Sequence, residues 1–207
     1  MKYLIFIGFI FLVSIAISQS FTAKESNKDQ KKATEDIVHT IDYKVLASRD
    51  GFQIRQYPEL TVATTELNSN SYANNSSTGF RKIASYIFGG NSSKEQIAMT
   101  SPVQMDMGSQ PTMSFFMPEN AEPSELPIPD RNDVIIEVQA PKIVAVIEFS
   151  GWASDKVLEQ QFKLLKSKLD KESIDFENTY SFLGYNPPYK LFNRKNEVII
   201  QLTQYQN

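Results

Sequence analysis

The chain has 207 residues, 41% hydrophobic and 22% charged, a composition that fits one globular domain of ordinary size or two small ones. Its 21 Lys and Arg stand against 24 Asp and Glu, and a net charge of −3 argues against nucleic acid as the main partner. Cysteine is absent and His39 is the one histidine, so a Cys nucleophile, a disulfide framework, a thiolate zinc site and any His-rich metal centre are excluded.

Residues 1–18 read as a signal peptide. Lys2 supplies a short positive region, Tyr3 to Ile17 an apolar run, and Ala16 and Ser18 the small residues before a cut at Gln19. The alternative is an uncleaved anchor, because the run is near the upper length for a signal and short for a membrane span. The cleaved form is expected to be periplasmic or secreted, with no stable membrane insertion. Residues 19–40 read as a polar tether: Lys24, Glu25, Lys28, Asp29, Lys31, Lys32, Glu35 and Asp36 balance in charge, and few apolar residues accompany them.

The domain is expected over residues 41–205. Strand patterns cover Phe52–Tyr57, Leu60–Leu67, Thr112–Met117, Val134–Val138, Ile143–Phe149 and Glu197–Thr203, rich in β-branched and aromatic residues. A first helix is predicted from Phe80, Ile83, Ala84 and Ile87, capped at Ser77 or Thr78 and closed by Gly89–Gly90. A second follows a Ser154 cap and carries the stripe Leu158, Phe162, Leu165 and Leu169. Segments 68–79 and 89–95 read as exposed loops, so Asn74, Asn75 and Asn91, which begin Asn-x-Ser triplets, are expected at the surface. Each half of the domain runs strand, Pro, strand, helix, strand, strand, with Pro58 and Pro141 83 residues apart. The fold class is therefore α+β, antiparallel and duplicated, with both helices outside one sheet system and a ligand cleft between the halves.

Single residues allow two readings each. His39 lies beside the tether and reads as exposed rather than as a ligand. Met99, Met105, Met107, Met113 and Met117 cluster in sequence; core packing explains them better than a soft groove or a thioether ligand. Glu148 with Trp152 and Tyr185 offers a carboxylate beside aromatics, the ingredients of a general acid or base. A strand carboxylate pointing to solvent is the plainer reading. The sequence carries no nucleophile elbow, phosphate loop or dinucleotide fingerprint, and the chain is not expected to be an enzyme.

Four stretches carry a resemblance. Phe52-Gln53-Ile54-Arg55-Gln56-Tyr57, Gly79-Phe80-Arg81-Lys82-Ile83-Ala84-Ser85-Tyr86-Ile87, Ile97-Ala98-Met99-Thr100-Ser101-Pro102-Val103 and Gly184-Tyr185-Asn186-Pro187-Pro188-Tyr189-Lys190-Leu191-Phe192-Asn193-Arg194-Lys195-Asn196-Glu197-Val198 resemble, in order, motifs of the SOUL haem-binding family. The match spans about Tyr43 to Leu202. It implies a distorted antiparallel β-barrel with two flanking helices, and non-covalent binding of haem or a related tetrapyrrole in a shallow apolar groove. The groove is expected between the first helix and the sheet. Lys190 takes the place of a family basic residue at the propionates, Arg81 and Lys82 are further cations, and Tyr86, Met99 and Met105 are expected along the wall. Gln56 stands where one branch of the family has an iron-ligating histidine, so no metal ligand is assigned. The alternatives are a site for another small apolar ligand, a protein-interaction role, or a hydrolase of the related effector-binding superfamily.

Overall fold

The computed structural model of the chain describes residues 39–187 and 189–205; the expected signal peptide and most of the tether lie outside the described residues. The main sheet is antiparallel and curls into a half-barrel. Its strands are β2 (Lys44–Arg49), β3 (Phe52–Tyr57), β4 (Leu60–Glu66), β6 (Val103–Met107), β7 (Thr112–Phe116), β8 (Ile135–Gln139), β9 (Lys142–Ser150), β11 (Tyr180–Gly184) and β12 (Lys195–Gln204). They run in the order β2-β3-β9-β12-β11-β6-β7-β4-β8, and the short β10 (Asp175–Phe176) pairs with β12. Outside this sheet, β1 (His39–Thr40) pairs in parallel with β5 (Thr100–Ser101). The described residues form two helices, α1 (Tyr72–Ile87) and α2 (Asp155–Lys171).

The duplication is visible in both register and topology. Phe52 opens β3 and Ile135 opens β8, 83 residues on; Ser71 caps α1 and Ser154 caps α2 at the same spacing. Apart from β2, which has no counterpart, exchanging β3 with β8, β4 with β9, β6 with β11 and β7 with β12 reverses the strand order and leaves it otherwise unchanged. The pseudo-twofold axis therefore passes between β6 and β11, where Phe182 faces Met105.

Alternation divides the sheet into two apolar faces. Along β9, Ile143, Ala145, Ile147 and Phe149 face the core that both helices cover, with Ile83 and Ile87 of α1 and Leu158, Leu165 and Leu169 of α2. Val144 and Val146 face the other way, with Tyr57, Val62, Phe116, Leu183 and Ile199. The predicted strands and the second helix fall where expected.

The first helix differs. It starts at Tyr72, within the segment read as a loop. Asn74, Asn75, Ser76, Ser77 and Thr78 are weak helix formers and favour turns, and local propensity points the wrong way. The cause is tertiary. The Asp155 carboxylate, at the start of α2, accepts from the Tyr72 N–H at 2.5 Å, the Ala73 N–H at 3.4 Å and the Ser71 hydroxyl at 3.2 Å. One carboxylate thus satisfies the free amides of the opposite helix and sits at its positive end. Two Asn readings also need correction. Asn75 is buried, donating to Ser69 and to the Ser71 carbonyl. Asn91 is buried, donating to the carbonyls of Tyr86 and Glu95 and accepting from the Glu95 N–H. Both satisfy backbone carbonyls at the ends of α1, and Asn91 uses the acceptor of its amide as well as the donor. Asn74 is exposed, as expected.

Asp155→Ala is expected to cost about 1–2 kcal/mol in urea unfolding and to speed hydrogen exchange at the Tyr72 and Ala73 amides more than at amides in the middle of α2. Tyr86→Phe should raise stability by about 1 kcal/mol in the same assay, because the buried Tyr86 hydroxyl has no hydrogen-bond partner among the described residues.

Candidate functional site

The β11–β12 connection, residues 185–194, and the β9–α2 turn meet at one end of the sheet. Arg194 organises the connection. It is buried, and its guanidinium donates to the carbonyls of Asn186 (3.1 Å), Pro187 (2.9 Å) and Lys190 (2.8 Å). The same guanidinium lies 4.4 Å from the centre of the Trp152 ring, a cation–π contact that joins connection to turn. Two hydrogen bonds add to this: Asn196 Nδ2 to the Gly151 carbonyl at 2.9 Å, and the Lys195 N–H to Asn186 Oδ1 at 2.6 Å. Gly151 has φ +92°, which favours glycine and turns Trp152 outward.

With its backbone held from below, the connection presents apolar side chains to water. Tyr189 is 75% exposed, Leu191 61%, Phe192 79% and Trp152 55%. Four such residues on neighbouring segments are unusual for a surface with no function. Lys190 is exposed among them, and residues 185–196 contain Lys190, Arg194 and Lys195 but no acid. Beneath this surface, Tyr72 at the start of α1 packs edge-on against Phe182 (5.3 Å between ring centres), and Phe149 packs against Phe182 from β9.

On the sheet face away from the helices lies a buried charge cluster. Glu197 is fully buried and accepts from Arg55 Nη1 at 3.0 Å and from the Tyr185 hydroxyl at 2.8 Å, and Lys195 Nζ stands 3.2 Å from it. Tyr43 covers the Arg55 guanidinium at 4.1 Å. Burial and then the Glu197 charge push the Tyr185 phenol far above its ordinary range. The same causes raise Tyr57 to about 12. The Tyr57 hydroxyl lies close to Arg55, without the geometry of a hydrogen bond. Glu148 is exposed, the plainer of its two sequence readings, and lies 3.5 Å from Lys195, while Tyr185 is committed to Glu197. Sequence reading passed over Glu197, although an acid in a run of β-branched residues, with Arg55 placed alike in β3, is the pattern of a paired buried charge.

A cleft of about 450 Å³ lies elsewhere, beside β1 and the β3–β4 turn. Its walls include Ile41, Leu60 and Val138, and its rim carries Asp42, Glu59, Glu119 and Glu122 with no basic residue. Four carboxylates repel an anionic ligand, so this cleft suits a dicarboxylic tetrapyrrole less than the Lys190 surface does.

The expected site residues are scattered. Lys190 is on the exposed connection. Arg81 is exposed on α1, and Lys82 is turned to Asp133 at 3.1 Å. Tyr86 and Met105 are buried in the core beneath the helices, and Met99 packs partly against that core. Met107, Met113 and Met117 are buried in it too, which supports the packing reading of the methionines. Among the described residues no three His, Cys, Asp or Glu side chains gather as a metal site.

Comparison with known proteins decides the family. The model described as "SOUL heme-binding protein" matches residues 38–201. The chain belongs to the SOUL family. It is 35% identical over 156 residues to human heme-binding protein 2, covering 71% of this chain and 76% of that one. It is 27% identical over 161 residues to heme-binding protein 1 of Xenopus laevis, covering 72% and 84%. Among solved structures, the EcmrR C-terminal domain matches with TM-score 0.58 at 8% identity, over 79% of this chain and 99% of that one. A hydrolase from Listeria innocua matches with TM-score 0.53 at 8% identity, over 76% and 94%. At such identities these two likenesses concern the fold alone.

Glu197→Gln is expected to cost about 3–5 kcal/mol in denaturant unfolding, because it leaves the Arg55 charge buried without a counter-charge. Adding Arg55→Met should recover most of the loss. Tyr57, raised in the folded state, contributes stability that is complete below its unfolded value near 10 and is lost as pH rises through about 12. The urea midpoint should fall over that interval, and fall less in Tyr57→Phe.

Proposed function

We propose that this SOUL-family protein is an exported, non-catalytic carrier or buffer that holds haem or a related tetrapyrrole without covalent attachment. The observation that carries this reading is the exposed set Trp152, Tyr189, Leu191 and Phe192 around Lys190. A tetrapyrrole is a flat apolar disc with carboxylates at one edge. Apolar side chains take the faces and an exposed ammonium takes an anionic edge. The names of the relatives, heme-binding proteins 1 and 2, support the same ligand.

Roles follow from placement. Lys190 is the propionate contact. Arg81 is a second, more distant cation, and Lys82 is already engaged with Asp133. Tyr86, Met99 and Met105 act by supporting α1 and the sheet from the core. Arg194 is a positioning residue, because it holds three carbonyls of the connection. The fit is to the macrocycle faces and the propionates. The imidazole and thiolate donors that usually hold iron are not among the side chains of this surface, so affinity should be modest.

Titration with hemin, read in the Soret band and by quenching of Trp152, tests the reading. Saturable one-to-one binding with a dissociation constant on the order of micromolar is expected. Lys190→Ala should weaken it roughly three- to thirtyfold, the loss of one charge-assisted contact, with the urea midpoint unchanged. Weak, non-saturable association would reject haem and turn attention to other apolar ligands.

A further inference from the structure

The apolar side chains at the β11–β12 connection differ from a typical protein-docking surface. They do not line a groove. They project one by one from a turn whose backbone is clamped by Arg194. Phe192 and Tyr189 each expose three-quarters or more of their surface, and Leu191 and Trp152 more than half. A rigid partner would need a matching pocket for each. A fluid interface needs none, and Trp, Tyr, Phe and Leu beside Lys or Arg is the composition that settles at the boundary of headgroups and acyl chains.

Charge points the same way. The chain carries −3 overall, yet residues 185–196 hold no acid; Arg194 is buried and Lys195 is paired with Glu148 and Glu197, so the cation this surface offers to solvent is Lys190. An anionic lipid surface therefore attracts this end of the molecule and repels the acidic cleft, whose rim holds Asp42, Glu59, Glu119 and Glu122.

We infer that the Trp152/Tyr189–Phe192 surface inserts reversibly into the interface of an anionic bilayer, with Lys190 at headgroup level. This is peripheral docking by a loop. No described helix is long and apolar enough to cross a membrane. The inference does not depend on a tetrapyrrole, although the two share a surface. A carrier that takes an amphiphilic ligand there could load it at the membrane.

Trp152 is the only tryptophan of the chain, so its fluorescence reports on this surface alone. The full chain, free of haem, is mixed with vesicles of phosphatidylcholine or of equal parts phosphatidylcholine and phosphatidylglycerol. The expected result is a blue shift of Trp152 emission with the mixed vesicles, quenching by lipids brominated in the acyl chain, and a weaker response with phosphatidylcholine alone. Leu191→Ser with Phe192→Ser should reduce the vesicle partition coefficient at least about tenfold, and Lys190→Gln several-fold. Both variants should keep the wild-type urea midpoint, since these side chains are exposed.

Vesicle association with Trp152 emission unshifted and unquenched would assign the binding to another part of the chain, such as the apolar run at residues 3–17, and would overturn the inference. A Trp152 shift that needs no vesicles and grows with protein concentration would mean that a second copy of the chain covers the surface, and would overturn it too. Hemin binding with no vesicle response removes this inference only. A vesicle response without saturable hemin binding removes only the tetrapyrrole reading.

Discussion

Neither half of this chain can bury its own sheet, and the ladder between β6 and β11 is where the halves meet. Tyr180 pairs with Met107 and Gly184 with Val103, five residues on each side in unbroken antiparallel register. That register places Phe182 opposite Met105 on the helix-covered face. A slip of β11 by one residue would turn Phe182 outward and bring Ser181 to the helix-covered face. The rest of the fold follows from this seam. It makes one curled sheet from two, and it brings the starts of α1 and α2 together across the pseudo-twofold axis, close enough for Asp155 to complete the first turn of α1.

The symmetry is broken where function is expected. Ser71 and Ser154 are equivalent caps, but only the second is followed by an acid, and that acid serves the other helix. The β11–β12 connection is the counterpart of the β6–β7 turn, yet it is much longer and carries the Arg194 clamp, Lys190 and the exposed aromatics. Duplication supplies a rigid platform; the added length in one copy supplies a surface. An apolar surface on a loose loop would collapse onto the protein. The three carbonyl contacts and the Trp152 stack keep this one extended toward water.

Buried charge is distributed with equal economy. Glu197 and Arg55 neutralise each other on the sheet face away from the helices, with the Tyr185 hydroxyl filling a second acceptor site on the carboxylate. The cluster adjoins the connection, since Tyr185 begins it and Lys195 ends it. A buried pair of this kind adds little net stability against an apolar substitute, but it is costly to break, and it ties both ends of the connection to β3.

The amino-acid sequence by itself determined the strand pattern, the second helix, the duplicated order of elements at a spacing of 83 residues, and the SOUL motifs. Each is a local signal: alternation, a helical stripe behind a Ser cap, prolines between strands, short ordered words. Of the site, Lys190 and its aromatic neighbours were legible in the last motif, and Trp152 was visible as a residue but not as their partner. What only the tertiary structure decided rests on contacts between residues far apart in sequence. Asn74 to Thr78 are helical because Asp155, more than seventy residues away, caps them. Tyr86 and Met105 lie in the core because α1 covers the sheet with that face. Glu197 and Glu148 are register partners on one sheet face, and Glu197 is the buried acid because Arg55 and Tyr185 reach it, with Arg55 within reach only when β3 and β12 flank β9. Pattern reports which residues an element can bury; which neighbour receives them depends on how the sheet closes.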